Sequence, residues 1–168
     1  AKSNASDAML IAAAKSLFKL MAYKDEYEVA RLHTQTGFAD QIADQFEGDY
    51  AVKYHLAPPL WPTGQDTRGR PFKKTFGPWM GKVFGILAQM KGLRGTWADV
   101  FAYSADRKME VALIEWFENA MEAIATSPLS EARKLAVLTA PMEIRGYGPV
   151  KEKAAEHVKA DVAKLLAT

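Results

Sequence analysis

Histidine is the side chain best suited to metal binding or to proton transfer near neutral pH, and the chain has three: His33, His55 and His157. A zinc site gathers at least three N, S or O ligands, commonly including a histidine pair at short spacing. Here the histidines are scattered with no acidic partner at motif distance, so no metal site is expected. His157 reads as a solvated residue of a terminal helix. His55, beside a proline-rich stretch, is the histidine singled out for function.

Arg68, Arg70, Lys73 and Lys74 form a local basic run interleaved with Phe72 and Phe76. Cations among aromatic rings suit an anionic ligand, a phosphorylated cofactor or single-stranded nucleic acid. The plainer reading is a solvated loop anchored by its phenylalanines. Two arginine–glycine turns, Leu93-Arg94-Gly95-Thr96 and Ile144-Arg145-Gly146-Tyr147-Gly148, offer a planar cation beside a flexible backbone. Both are favoured as helix ends whose arginines pair with carboxylates. No phosphate-binding glycine loop or nucleophile elbow occurs, and Glu115, Glu118 and Glu122 fall at exposed helical spacing.

These residues need elements to position them, and helical periodicity dominates. Leu10, Ala13, Leu17 and Leu20 predict the inner face of a first helix. A second helix or a bent continuation follows Asp25, Glu26 and Glu28. Phe38, Ile42 and Phe46 repeat every four residues, with Gly48 as a stop. Tyr50, Val52, Tyr54 and Leu56 then alternate as in a strand, and Phe72, Lys74 and Phe76 supply its partner across a loop with Pro58, Pro59, Pro62, Gly64 and Gly69. Helices resume at Pro78, with Trp79, Val83, Ile86 and Met90 inward and Gly92 as the end. Ser104 or Asp106 caps the longest helix, whose inner face is Met109, Leu113, Trp116, Ala120 and Ile124. Ser127-Pro128 opens a shorter helix carrying Leu129, Ala132, Leu135 and Leu138. Pro141 and Gly146/Gly148-Pro149 break it, and Val150, Ala154, Val158, Val162 and Leu165 line the last. The expected architecture is mainly α: a bundle of about six helices, residues 1–168 as one domain, with a two-stranded hairpin and long loop over 49–77.

Composition narrows the function classes. A length of 168 residues accommodates a core without staples, and 18 aromatic side chains rule against disorder. The net charge of +2 creates no field for nucleic acid, and no apolar run approaches the roughly 18 residues of a membrane span. Nor is there a secretory leader, so a cytoplasmic location is expected. Ser3-Asn4-Ala5 fits a remnant of tag removal, and residues 1–6 carry no structural weight. The chain has no cysteine, which excludes disulfides, thiol catalysis and any thiolate-held zinc or iron–sulfur cluster within it.

Six strings, in order along the chain, change the picture from motif-poor to specific. They are Leu17-Phe-Lys-Leu-Met-Ala-Tyr-Lys-Asp-Glu-Tyr-Glu-Val-Ala-Arg-Leu32, His55-Leu-Ala-Pro-Pro59, Phe76-Gly-Pro-Trp-Met80, Lys91-Gly-Leu-Arg-Gly-Thr96, Asp99-Val-Phe-Ala-Tyr-Ser-Ala-Asp-Arg-Lys-Met-Glu110 and Glu143-Ile-Arg-Gly-Tyr-Gly-Pro-Val-Lys-Glu152. Together they resemble the C-terminal region of the indolepyruvate ferredoxin oxidoreductase family.

The resemblance implies a parent enzyme that oxidatively decarboxylates aryl 2-oxoacids with thiamine diphosphate, coenzyme A as acyl acceptor, and iron–sulfur clusters passing electrons to ferredoxin. The cofactor-binding parts lie upstream in that family's chains, so the resemblance places no catalytic residue and no cofactor here. It implies an accessory domain, inactive when isolated, whose partners are the rest of the oxidoreductase and ferredoxin, with neither membrane nor nucleic acid. The matched strings gather at turns and the loop, which marks Tyr54, His55, Pro58, Trp79, Arg94 and Arg145 as a docking surface. If Arg94 docks, reversing its charge weakens assembly and spares the melting temperature; if it serves the fold, stability falls. The competing reading is a free-standing binding module using 68–74 for an anionic ligand or nucleic acid.

Overall fold

A computed structural model describes residues 5–58, 63–67, 69 and 71–167. Among them the chain forms α1 (Asp7–Met21), α2 (Glu26–Thr34), α3 (Phe38–Ala43), β1 (Tyr54–Leu56), β2 (Lys74–Phe76), α4 (Met80–Gln89), α5 (Ala105–Thr126), α6 (Glu131–Thr139) and α7 (Pro149–Leu166). The protein is mainly helical, with seven α-helices and one antiparallel two-stranded sheet among the described residues. Two compact units divide them: the described residues through Tyr23 with those from Ala105 onward, and Lys24–Ser104.

The first unit is built on α5, whose buried side chains are Leu113, Phe117, Ala120 and Ile124, flanked by Arg107 at the start. Leu113 and Phe117 are fully enclosed, and burial of side chains of that size contributes about 1.5–3 kcal/mol each. Against them pack Val137 and Leu138 of α6, Ala155, Val158 and Val162 of α7, and Ala12 and Leu20 of α1. Ser16 is buried between helices and donates its hydroxyl to Leu138 O at 2.6 Å, which satisfies a polar group that burial would otherwise penalise. The Val158/Val162 face of α7 follows the expected spacing, as does α5 at Leu113, Ala120 and Ile124, though Phe117 takes the fully buried place and the expected Met109 and Trp116 are only partly buried. Single positions differ elsewhere: Leu10 and Val150 are exposed, while Ala13, Leu17 and Leu20 of α1 face inward as expected, joined by Met9, Ala12 and Ser16. The outer face of α1 is apolar as well, with Leu10, Ile11, Phe18 and Met21 exposed, so spacing alone does not separate Leu10 from Met9. The shorter helix starts at Glu131, not at Ser127, because Ser130 Oγ accepts from Arg133 N at 3.4 Å and caps it. Ala132, expected inward, is exposed.

The second unit centres on Ala30 of α2, Phe76 of β2, and Met80, Phe84 and Ala88 of α4, with Tyr54 and Leu56 against them. α2 is a separate helix: Asp25 accepts from Tyr27 N and Glu28 N and starts it afresh. In α4 the buried stripe is Met80, Phe84 and Ala88, not the expected Trp79 and Ile86, which are 55% and 62% exposed. The helix begins at Met80, beyond Pro78, and a 3₁₀ turn over Met90–Leu93 follows it. α3 runs for only six residues and buries none of them, so Phe38, Ile42 and Phe46 form no inner face.

The hairpin is shorter than the alternation predicts. Its register pairs Tyr54 with Phe76, His55 with Thr75 and Leu56 with Lys74. Extending that register sets Val52 against Pro78 and Pro58 against Phe72. Proline has no N–H to donate, so the ladder stops near both ends. Of the connecting loop, Pro59 and Pro62 lie outside the described residues. The described part closes on itself, with Phe72 N donating to Gly64 O and Gln65 bridging Pro71.

Candidate functional site

The expected docking residues fall in both units. Tyr54, His55, Pro58, Trp79 and Arg94 belong to the second, and Arg145 to the first. The hairpin positions the first of them. Tyr54 faces the core, with its ring edge-on to Phe84 at 5.2 Å. His55 is on the opposite, solvated face, where its Nδ1 is 3.1 Å from the Thr75 hydroxyl. Trp79 lies past β2 and meets Phe76 edge-on at 5.9 Å while half its surface stays open. Pro58, half-buried, ends the ladder as described above.

Arg94 is committed to its own unit. Its Nε stands 2.9 Å from Asp25 Oδ2, a pairing of the kind expected for the arginine–glycine turns. A second buried carboxylate stands nearby in the sequence: Asp99 accepts from Gly95 N, from Phe101 N and from the Tyr27 hydroxyl at 3.2 Å. Tyr27 also meets the Phe101 ring edge-on at 5.0 Å. These contacts fasten the turn after α4 to the start of α2, and the fastened turn presents Trp97, 89% exposed, with Tyr103 donating its hydroxyl to Trp97 O. Sequence reasoning missed Asp25, Tyr27, Asp99 and Trp97 as a set. One local signal existed: Asp25 followed three residues later by Glu28 has the form of a helix-capping pair. Glu28 instead accepts from Arg31 and from Lys91 Nζ at 2.6 Å. The Arg31 hydrogen bond, then that of Lys91, lowers its carboxyl from the usual 4.5 to about 2.

Arg145, by contrast, is largely exposed; it pairs with the equally exposed Glu143 at 3.4 Å and donates from Nε to Met142 O at 3.2 Å. Beside it, Lys19 reaches from α1 to donate to Pro141 O at 2.7 Å and Ile144 O at 2.9 Å, closing the end of the 3₁₀ turn Ala140–Glu143. Burial, followed by the nearby charges of Arg145 and Lys151, lowers the Lys19 pKa. The same turn and α7 border a shallow groove of about 400 Å³ lined by Val158, Val162, Glu143, His157 and Asp161 among others. His157 is solvated, as its position predicts, but it has an acidic neighbour four residues on, Asp161 at 3.3 Å, where no such partner is expected. The described residues that line the groove include no hydroxyl or thiol.

Of the basic run, Arg68 and Arg70 lie outside the described residues. Lys73 and Lys74 are exposed, next to the exposed Phe72. His33, passed over as a site residue, stacks on Phe84 at 5.2 Å and meets Phe38 and Tyr54 edge-on, which makes it part of the aromatic packing. Among the described residues no three His, Asp or Glu side chains stand together as a metal-binding group. None of their helices is long and apolar enough to cross a membrane.

Fold and site together define a mainly helical domain that presents aromatic side chains from tightly hydrogen-bonded turns. The chain belongs to a family of unknown function, DUF6537, whose model matches residues 1–164. Comparison with curated proteins and with solved structures returns no match.

Proposed function

We propose that the chain is an accessory docking domain of a cytoplasmic aryl 2-oxoacid:ferredoxin oxidoreductase of the indolepyruvate type, without chemistry of its own. The observation that carries this reading is where the resembling strings put their large side chains. Trp79, Tyr103 and Tyr147 lie within three of those strings and are 55%, 65% and 79% exposed. An exposed tryptophan or tyrosine contributes little to a core, whereas rigid aromatic anchors dominate protein interfaces. The oxidoreductase chemistry belongs to the remainder of such an enzyme: thiamine diphosphate supplies the carbanion, and coenzyme A takes the acyl group. A thiolate-held cluster does not fit this chain, which has no cysteine. Ferredoxin and the rest of the oxidoreductase are its partners under this reading.

The test is oxoacid-dependent reduction of an artificial electron acceptor under anaerobic conditions by the whole oxidoreductase, with and without this region. Activity and assembly lost on removal, restored by adding the region back, and lost again in a Trp79→Ala/Tyr147→Ala variant of unchanged melting temperature support docking. Full rate and full assembly without the region overturn it.

A further inference from the structure

The second unit begins and ends within a single polar clasp. Asp25 and Tyr27 stand at its start, and Arg94, Asp99 and Phe101 near its end. Between them run the Asp25–Arg94 ion pair at 2.9 Å, the Tyr27 hydroxyl bond to Asp99 at 3.2 Å and the edge-on Tyr27–Phe101 contact. Each carboxylate also holds backbone: Asp25 caps α2, and Asp99 closes the turn through Gly95 N and Phe101 N. Asp25 and Asp99 are 5% and 1% exposed, so losing a partner leaves a buried charge behind.

The clasp carries weight because the core above it is small. Among the described residues this unit buries seven apolar side chains, against twelve in the helical unit, and α3 adds none. Regions with few buried apolar contacts lie at the low end of local stability and open as contiguous units.

We infer that residues 24–104 open and close as one cooperative unit while the helices α5–α7 stay folded, and that Asp25, Tyr27, Arg94 and Asp99 set how often this happens. The clasp is a conformational device: loosening it exposes α2, the hairpin and α4 together. This inference stands independently of any partner.

Amide hydrogen exchange on the full chain reads it directly. Arg94→Ala and Asp99→Asn are each expected to speed exchange of α2, β1, β2 and α4 amides in concert. The expected factor is roughly ten- to a hundredfold, the range for losing a partner of a buried charged group, with α5–α7 unchanged. Tyr27→Phe removes one hydroxyl and keeps the ring, so it reports the same pattern more weakly even where Asp99→Asn fails to fold. Faster exchange confined to residues 91–104 overturns the inference by showing local fraying. Acceleration that spreads through α5 and α7, or none at all, overturns it equally.

Discussion

Arg94 Nε stands 2.9 Å from Asp25 Oδ2, with the arginine side chain 38% and the aspartate side chain 5% exposed. The pair joins a half-solvated cation to an enclosed carboxylate, so the two partners are not equivalent. Removing the arginine leaves Asp25 charged and enclosed, although its two backbone donors remain.

Arg94→Ala is therefore expected to cost about 1–3 kcal/mol, the range for leaving a buried polar group without its partner, and Arg94→Glu more because it sets two carboxylates together. Chemical denaturation followed by far-UV circular dichroism measures it. A midpoint equal to wild type for Arg94→Glu would return Arg94 to the docking surface.

Glu28 makes a prediction about acid. Its pKa is lowered from 4.5 to about 2 by the hydrogen bonds from Arg31 and Lys91. A carboxylate with a lowered folded pKa stabilises above its unfolded value and loses that contribution as pH falls through the folded one. The stability difference between wild type and Glu28→Gln is thus expected to be level above pH 4.5 and to shrink between there and about 2. Because the group is at the surface, added salt should reduce the difference as well. Urea midpoints at stepped pH decide it, and a difference independent of pH would remove the ion pairs from the account.

Gly146 tests the start of α7. Its φ is +98°, and a Cβ placed there would come within 2.8 Å of Val150 Cγ1. Gly146→Ala combines backbone strain with a clash, so a loss of about 1–3 kcal/mol is expected. Gly92→Ala is the control, since nothing lies within 4 Å of its added methyl and its φ is not positive. Equal melting temperatures for the two variants would contradict the assigned turn.

Much of the architecture was legible from local rules. The spacing of Leu113, Ala120 and Ile124 sufficed to orient α5, and the alternation around Tyr54 and Phe76 to find the hairpin, because each pattern repeats with the period of its own backbone. Where a helix is apolar on both sides, the period survives and the phase does not. In α4 the exposed Ile86 is as hydrophobic as the buried Phe84.

By itself the sequence determined the helical class, the hairpin, the turns at glycine and proline, and the exclusion of thiol chemistry through the absence of cysteine. Only the tertiary structure decided which helix faces are covered, that the chain divides at Tyr23 and Ala105, and that Tyr27 meets Asp99 across 72 residues. The physical reason is range. Backbone geometry and side-chain spacing act within a few residues and leave a periodic trace. A hydrogen bond between distant segments depends on where the whole chain carries its two ends, and no local pattern records that.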